Sequence, residues 1–129
     1  EHVLVVEDDE MVRQLVCETL LAHGFQVSEA DQPEAALEMI DRLTPVDLLL
    51  TDVIMPQMNG RELYRQLSVR IPGLRVLYMS GYTENVIADQ GMLYAGVDFL
   101  QKPFSVHSLL EKVQLVLGRP KEQGPLTGD

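Results

Sequence analysis

The sequence predicts an α/β fold, a doubly wound parallel sheet of five strands alternating with five helices. Short apolar runs recur along the chain, at His2–Val6, residues 25–28 and 47–51, Arg75–Ser80 and Asp98–Gln101. Within them apolar residues stand back to back, as in strands buried on both faces. Helix-length amphipathic stretches separate the runs, and parallel neighbours need such crossovers.

The first helix is predicted over residues 10–23, where Met11, Val12, Leu15, Val16, Thr19 and Leu20 recur at three- and four-residue spacings. Gly24 follows, where a left-handed cap is wanted. Cys17 falls inside this pattern and reads as a packing residue, the usual place of a free cysteine. For the second helix Asp31 can cap, Pro33 sits in the first turn, and Glu34 completes an acidic version of the capping box. That helix runs to about Leu43, and Pro45 prevents its continuation. A third covers Gly60–Arg70 and stops before Ile71-Pro72-Gly73. A fourth is expected over residues 84–94, although Gly91 weakens it by about 1 kcal/mol relative to alanine. The fifth, over residues 105–117, has Ser105 as cap and Val106, Leu109, Leu110, Val113, Val116 and Leu117 on its buried face. Residues 118–129 then hold two prolines, three glycines and little apolar surface. One domain is therefore expected over residues 1–117, followed by a flexible tail or linker over 118–129.

The 129 residues suit a single domain, and 46% hydrophobic content with 23% charge suits a soluble globular one. The longest apolar runs fall far below the roughly 20 residues of a membrane span. No basic leader opens the chain, so no targeting segment is expected. Twenty acidic against ten basic residues give a net charge of −10. That balance disfavours direct contact with nucleic acid and suits a divalent cation or a basic protein surface. One cysteine cannot form an internal bridge, which points to a reducing cytoplasm.

In such a sheet, ligands bind beyond the carboxyl ends of the strands. Those ends carry Glu7 and Asp8 after the first strand, Asp52 after the third, Ser80 after the fourth and Lys102-Pro103 after the fifth. Each alone would read as an ordinary loop or surface residue; their convergence on one mouth makes a site. Adjacent carboxylates repel unless a cation joins them. Hard oxygen ligands with few protein contacts suit Mg²⁺. A carboxylate can attack phosphorus to give an aspartyl phosphate, and a lysine with the metal would neutralise the transferring group.

These residues resemble the receiver domain of two-component response regulators. Val5-Val6-Glu7-Asp8-Asp9 is similar to its first-strand acidic pair. The run Leu50-Thr51-Asp52-Val53-Ile54-Met55-Pro56-Gln57-Met58-Asn59-Gly60 is similar to its phosphorylation segment. Met79-Ser80-Gly81-Tyr82 resembles its switch hydroxyl, and Phe99-Leu100-Gln101-Lys102-Pro103-Phe104 its lysine segment. The resemblance spans residues 3–117 and implies a flavodoxin-like sheet of order 2-1-3-4-5. It implies Asp52 as phosphoacceptor for a phosphohistidine, with Lys102 and Ser80 bonding the phosphoryl group. Asp8, Asp52 and the Ile54 carbonyl would ligate Mg²⁺ directly, with Glu7 acting chiefly through water. Ser80 and Phe99 would switch together, and a cis bond would precede Pro103. The readout face would be the fourth helix, the fifth strand and the fifth helix. The implied partner is a histidine kinase or histidine phosphotransfer domain, with no membrane contact by this domain. The family also promotes its own phosphotransfer and dephosphorylation.

Two departures are mild: Glu7 replaces the commoner aspartate, and Ser80 the frequent threonine. The run Glu7-Asp8-Asp9 leaves two registers for the acidic pair, of which Glu7/Asp8 directly follows the strand. Asn59 and Gly60 read as turn residues. Ser80-Gly81-Tyr82-Thr83 and the lysine segment also resemble receivers fused behind histidine kinases, which implies a hybrid sensor kinase as parent. Ile54 and Tyr82 stand two residues beyond Asp52 and Ser80, near the expected path of hydrolytic water. Neither suits orienting that water, so a comparatively long-lived phosphoryl state is expected.

Other functions remain to be separated. A haloacid-dehalogenase-like phosphatase would also use an aspartyl phosphate on this sheet, but its nucleophile would follow the first strand with an aspartate two residues on. A degenerate receiver would act only as a protein-binding module. No Gly-x-Gly-x-x-Gly loop follows the first strand, which disfavours a dinucleotide or flavin. His2, His23 and His107 lack metal-ligand spacing and read as structural or surface residues.

Overall fold

Residues 1–43, 45–81 and 98–118 are described by a computed structural model. The helix expected over 84–94, with Gly91, and all of the tail after Gly118 lie outside the described residues. Five parallel strands, β1 (His2–Val6), β2 (Gln26–Ala30), β3 (Leu48–Asp52), β4 (Arg75–Ser80) and β5 (Asp98–Gln101), line up in the order β2-β1-β3-β4-β5. Four α-helices occur among the described residues: α1 (Glu10–Ala22), α2 (Pro33–Met39), α3 (Gly60–Arg70) and a last helix, Val106–Leu117.

Strand side chains alternate between faces, and the core divides accordingly. Leu4, Val6, Leu49, Val76 and Tyr78 pack against Ala36 and Ile40 beside Leu63 and Leu67 of α3. Val3, Val5, Leu48, Leu50, Leu77 and Met79 face the other way, against Val16 and Leu20 of α1 and Leu109 and Val113 of the last helix. Every residue of β1 and β3 is buried, which explains their unbroken apolar runs. Each fully buried leucine or valine contributes roughly 1.5–3 kcal/mol.

The structure shifts several expected boundaries. β2 begins and ends later than the apolar pattern suggests, because it is an edge strand that tolerates the half-exposed Ser28 and the exposed Glu29. β3 includes Asp52, which pairs in register with Met79. In α1, Val16, Cys17, Thr19 and Leu20 are buried, whereas Met11 and Leu15 are exposed. Asp31 does not cap α2; Gln32 holds that position in an extended conformation, as a residue preceding proline prefers. That helix ends at Met39 and tightens into a 3₁₀ turn over Ile40–Arg42. Ser105 caps the last helix by accepting from the Ser108 N–H at 3.0 Å. Its Val106 is exposed, since periodicity sets a side chain's direction but not whether anything lies opposite. Gly24, at φ 90°, turns the chain out of α1. No helix among the described residues is long and apolar enough to cross a membrane.

Candidate functional site

The three consecutive acids after β1 take three different positions. Glu7 continues the strand, its N–H donating to the Ala30 carbonyl at 3.2 Å, and its side chain is wholly buried. Its Oε1 lies 2.6 Å from Lys102 Nζ, and its Oε2 accepts from the Asp9 N–H at 2.9 Å. Asp8 is exposed at the mouth. Asp9 turns away to cap α1, accepting from the N–H groups of Met11 and Val12 at 2.9 and 3.3 Å. Asp9 also lines the cleft, but the acids whose oxygens group with Asp52 are Glu7 and Asp8.

Asp52 ends the central strand β3, almost fully buried, with Oδ1 2.7 Å from Lys102 Nζ. The chain beyond it is pinned from two sides: Val53 N–H donates to the Met79 carbonyl at 3.0 Å, and Gly60 N–H to the Val53 carbonyl at 2.7 Å. Asn59 caps α3, accepting from the Glu62 N–H at 2.8 Å. Gly60 opens that helix against the backbone of Asp52, where a Cβ would overlap the Asp52 carbonyl oxygen. Ser80, buried at the end of β4, accepts the Lys102 N–H on its carbonyl at 2.8 Å. This bond ties the lysine's backbone to the neighbouring strand, and the Lys102–Pro103 peptide that follows is cis.

Glu7, Asp8, Asp52, Ile54, Ser80 and Lys102 all line one open cleft of about 470 Å³. One ligand atom from each of Glu7, Asp8 and Asp52 falls within 4.8 Å of the others, an all-oxygen donor set that fits a hard divalent cation. Ile54 is 65% exposed at the rim. Phe99 is not among the cleft residues; it packs on Tyr78, ring centroids 5.7 Å apart. Tyr82 lies outside the described residues.

One ammonium serves two buried carboxylates, and the protonation equilibria follow from that. Burial pushes Asp52 up to about 8, aided by its contact with Glu7 and opposed by Lys102. Burial would also raise Glu7, but hydrogen bonds from Asp52, Lys102 and the Asp9 backbone hold it below the usual carboxylate value. Asp8 is raised by partial burial and by Glu7. Burial would lower Lys102, yet Asp52 and Glu7 together hold its proton more tightly than usual. A divalent cation would replace the retained proton and relieve the repulsion.

The histidines stand apart from the cleft. His2 is buried at the opposite end of β1, its Nε2 2.8 Å from Ser28 Oγ. His23 Nδ1 lies 2.9 Å from the Thr19 carbonyl, and His107 is exposed. Two contributors went unseen in the sequence. Asp9 carries a legible signal, an aspartate directly before an amphipathic run. Arg13, which donates to the Glu7 carbonyl at 2.8 Å, carries none.

Residues 3–114 match the family model of the response regulator receiver domain. The chain is 37% identical over 116 residues to the sensor kinase CckA of Brucella abortus, covering 89% of this chain but only 12% of that protein. Its fold is similar to the crystal structure of the receiver domain from the hybrid histidine kinase CckA, with TM-score 0.73 and 30% identity over 91% of this chain and 99% of that one. It is also similar to the Vibrio cholerae chemotaxis protein CheY4, with TM-score 0.77 and 28% identity over 89% and 97% of the two chains. This excludes the haloacid-dehalogenase-like alternative: the chain belongs to the receiver domain family of response regulators and hybrid kinases, modules of phosphorelay signal transduction.

Proposed function

We propose that this receiver takes a phosphoryl group from a phosphohistidine onto the Asp52 carboxylate in a Mg²⁺-dependent reaction. The carrying observation is the placement of Asp52 at the end of the central strand, 2.7 Å from the Lys102 ammonium and grouped with Glu7 and Asp8. An Asp52 oxygen attacks phosphorus. The new P–O bond forms as the P–N bond to the donor's imidazole breaks; the electron pair stays on that ring nitrogen, which takes a proton from solvent.

Lys102 and the Ser80 hydroxyl receive the charge that develops on the phosphoryl oxygens. Asp8, Asp52 and the Ile54 carbonyl are the proposed direct Mg²⁺ ligands, with Glu7 acting through water. When bound, Mg²⁺ supplies further neutralisation of the transferring group. Lys102 must trade part of its contact with Asp52 and Glu7 for a phosphoryl oxygen. Ser80 moves toward the new group, and Phe99 leaves Tyr78 to follow it. This small bistable element would alter the face formed by β5 and the last helix.

The donor is a histidine kinase or histidine phosphotransfer domain. The −10 charge supports a protein partner rather than nucleic acid. The likeness to a hybrid kinase's receiver supports a parent of that kind, with this domain in the cytoplasm over residues 1–117 and residues 118–129 as a linker. Incubation with acetyl phosphate and Mg²⁺, read by intact mass, tests the reaction. Wild type should gain one phosphoryl group, and neither Asp52→Asn nor an EDTA-treated sample should gain any. A wild type that gains none would favour a degenerate binding module, and labelling of Asp52→Asn would move the acceptor elsewhere.

A further inference from the structure

One guanidinium outside the cleft bears on its geometry. Arg13 of α1, with a side chain only 16% exposed, reaches two elements at once. Its Nη1 donates to the Glu7 carbonyl oxygen at 2.8 Å, and its Nε to Glu29 Oε1 of β2 at 2.9 Å. The Glu7 carbonyl belongs to the peptide that leads into Asp8. That unit is planar, so holding its oxygen sets where the next α-carbon and side chain start.

The neighbours of Asp8 are fixed by other means: Glu7 by Lys102 and the Asp9 amide, Asp9 by its cap bonds. Asp8 itself is exposed, so core packing does not place it. The Arg13 contact supplies what packing does not. A planar fork holds its donors in a fixed geometry toward two acceptors together, whereas a lysine ammonium is a point charge with three rotatable donors.

We propose that Arg13 is a positioning residue for the cation: by holding the Glu7–Asp8 peptide against β2, it sets the Asp8 carboxylate at the spacing from Asp52 that Mg²⁺ demands. This rests on the Mg²⁺ reading above. Mg²⁺ requires near-octahedral oxygens at about 2.0–2.1 Å, while Ca²⁺ accepts more ligands in looser arrangements. A displaced Asp8 therefore penalises Mg²⁺ more than Ca²⁺. Loss of a purely structural contact would weaken both alike.

Calorimetric titration of the whole chain with MgCl₂ and, separately, CaCl₂ tests this in wild type, Arg13→Ala, Arg13→Lys and Glu29→Ala, with melting curves in EDTA to follow the fold. Arg13→Ala should weaken Mg²⁺ binding by about tenfold or more, the usual scale for an outer partner of a metal ligand. Its Ca²⁺ binding should weaken much less. Arg13→Lys should recover part of the Mg²⁺ loss, and Glu29→Ala should shift the Mg²⁺ to Ca²⁺ ratio in the same direction by a smaller amount. An unchanged ratio in Arg13→Ala overturns the inference. Should that variant fail to fold, an unchanged ratio in both Arg13→Lys and Glu29→Ala overturns it instead. Absence of Mg²⁺ binding by wild type would overturn the underlying Mg²⁺ reading, an outcome seen before any variant is compared.

Discussion

Gly60 packs its α-carbon against the carbonyl of Asp52, so the first residue of α3 and the last of β3 meet with no room for a side chain between them. The adjoining Gly60 N–H to Val53 carbonyl bond closes the loop that follows the aspartate. The site's backbone is therefore held by close approach as well as by the sheet.

Gly60→Ala should displace either the start of α3 or the Asp52 backbone. Urea denaturation should show a loss of about 1–3 kcal/mol, the scale of an overpacked site. Phosphorylation by acetyl phosphate should slow even at a temperature where the variant is fully folded. Wild-type stability and rate would contradict the close approach.

Asp52 should make folding pH-dependent in the sense opposite to an ion-paired surface carboxylate. Its folded value of about 8 lies above the ordinary 3.8. Between those values the folded chain keeps a proton that the unfolded chain has released, so stability without divalent cation falls as pH rises. The slope is at most about 1.4 kcal/mol per pH unit for one proton. Asp8, also raised, acts in the same sense. The lowered Glu7 acts oppositely, but its contribution is already complete above its ordinary value of 4.5. The raised Lys102 changes nothing until pH approaches its ordinary 10.5. Denaturation in EDTA from about pH 5 to about pH 8 should show this fall, and Asp52→Asn should flatten it. Stability that climbs across that range would refute the assignment.

Lys102→Met should separate cation binding from phosphotransfer. Removing the ammonium takes away positive charge beside Glu7 and Asp52, so Mg²⁺ affinity should hold or rise. Phosphorylation should slow by about a hundredfold or more, as when one preorganised donor is lost from a transition-state site. Parallel loss of both would make the lysine a structural element only.

Ile54, 65% exposed, lines the cleft that holds Asp52, and we propose that it shields an acyl phosphate there from water. Its companion Tyr82 lies outside the described residues. Radiolabelled phosphate should leave Ile54→Asn with Tyr82→Glu several times faster than wild type. A polar double variant no faster than wild type would remove the shielding idea.

How much of this was legible depended on the kind of signal. Asp52, Ser80 and Lys102 could be read because each stands at or beside the end of an apolar strand run, and parallel topology gathers such ends at one edge. The contact between Lys102 and Glu7 was not legible: it depends on the reach of a glutamate side chain from a buried backbone position. Asp9 carries the local signal of a cap, an aspartate directly before an amphipathic run, but with three acids in a row that signal alone does not set the register. Met11 and Leu15 fit the helical period yet point outward, since a period says which side chains share a face but not how wide the buried stripe is. Gly60 read as a turn glycine, whereas its role is a tertiary close approach invisible to local pattern.

The decisive experiment supplies a labelled phosphohistidine domain with Mg²⁺, traps any acyl phosphate by borohydride reduction, and maps the reduced residue by peptide mass. Modification at position 52 alone, abolished by EDTA, is the predicted result. Trapping at Glu7, Asp8 or any other carboxylate while Asp52 stays unmodified would contradict it.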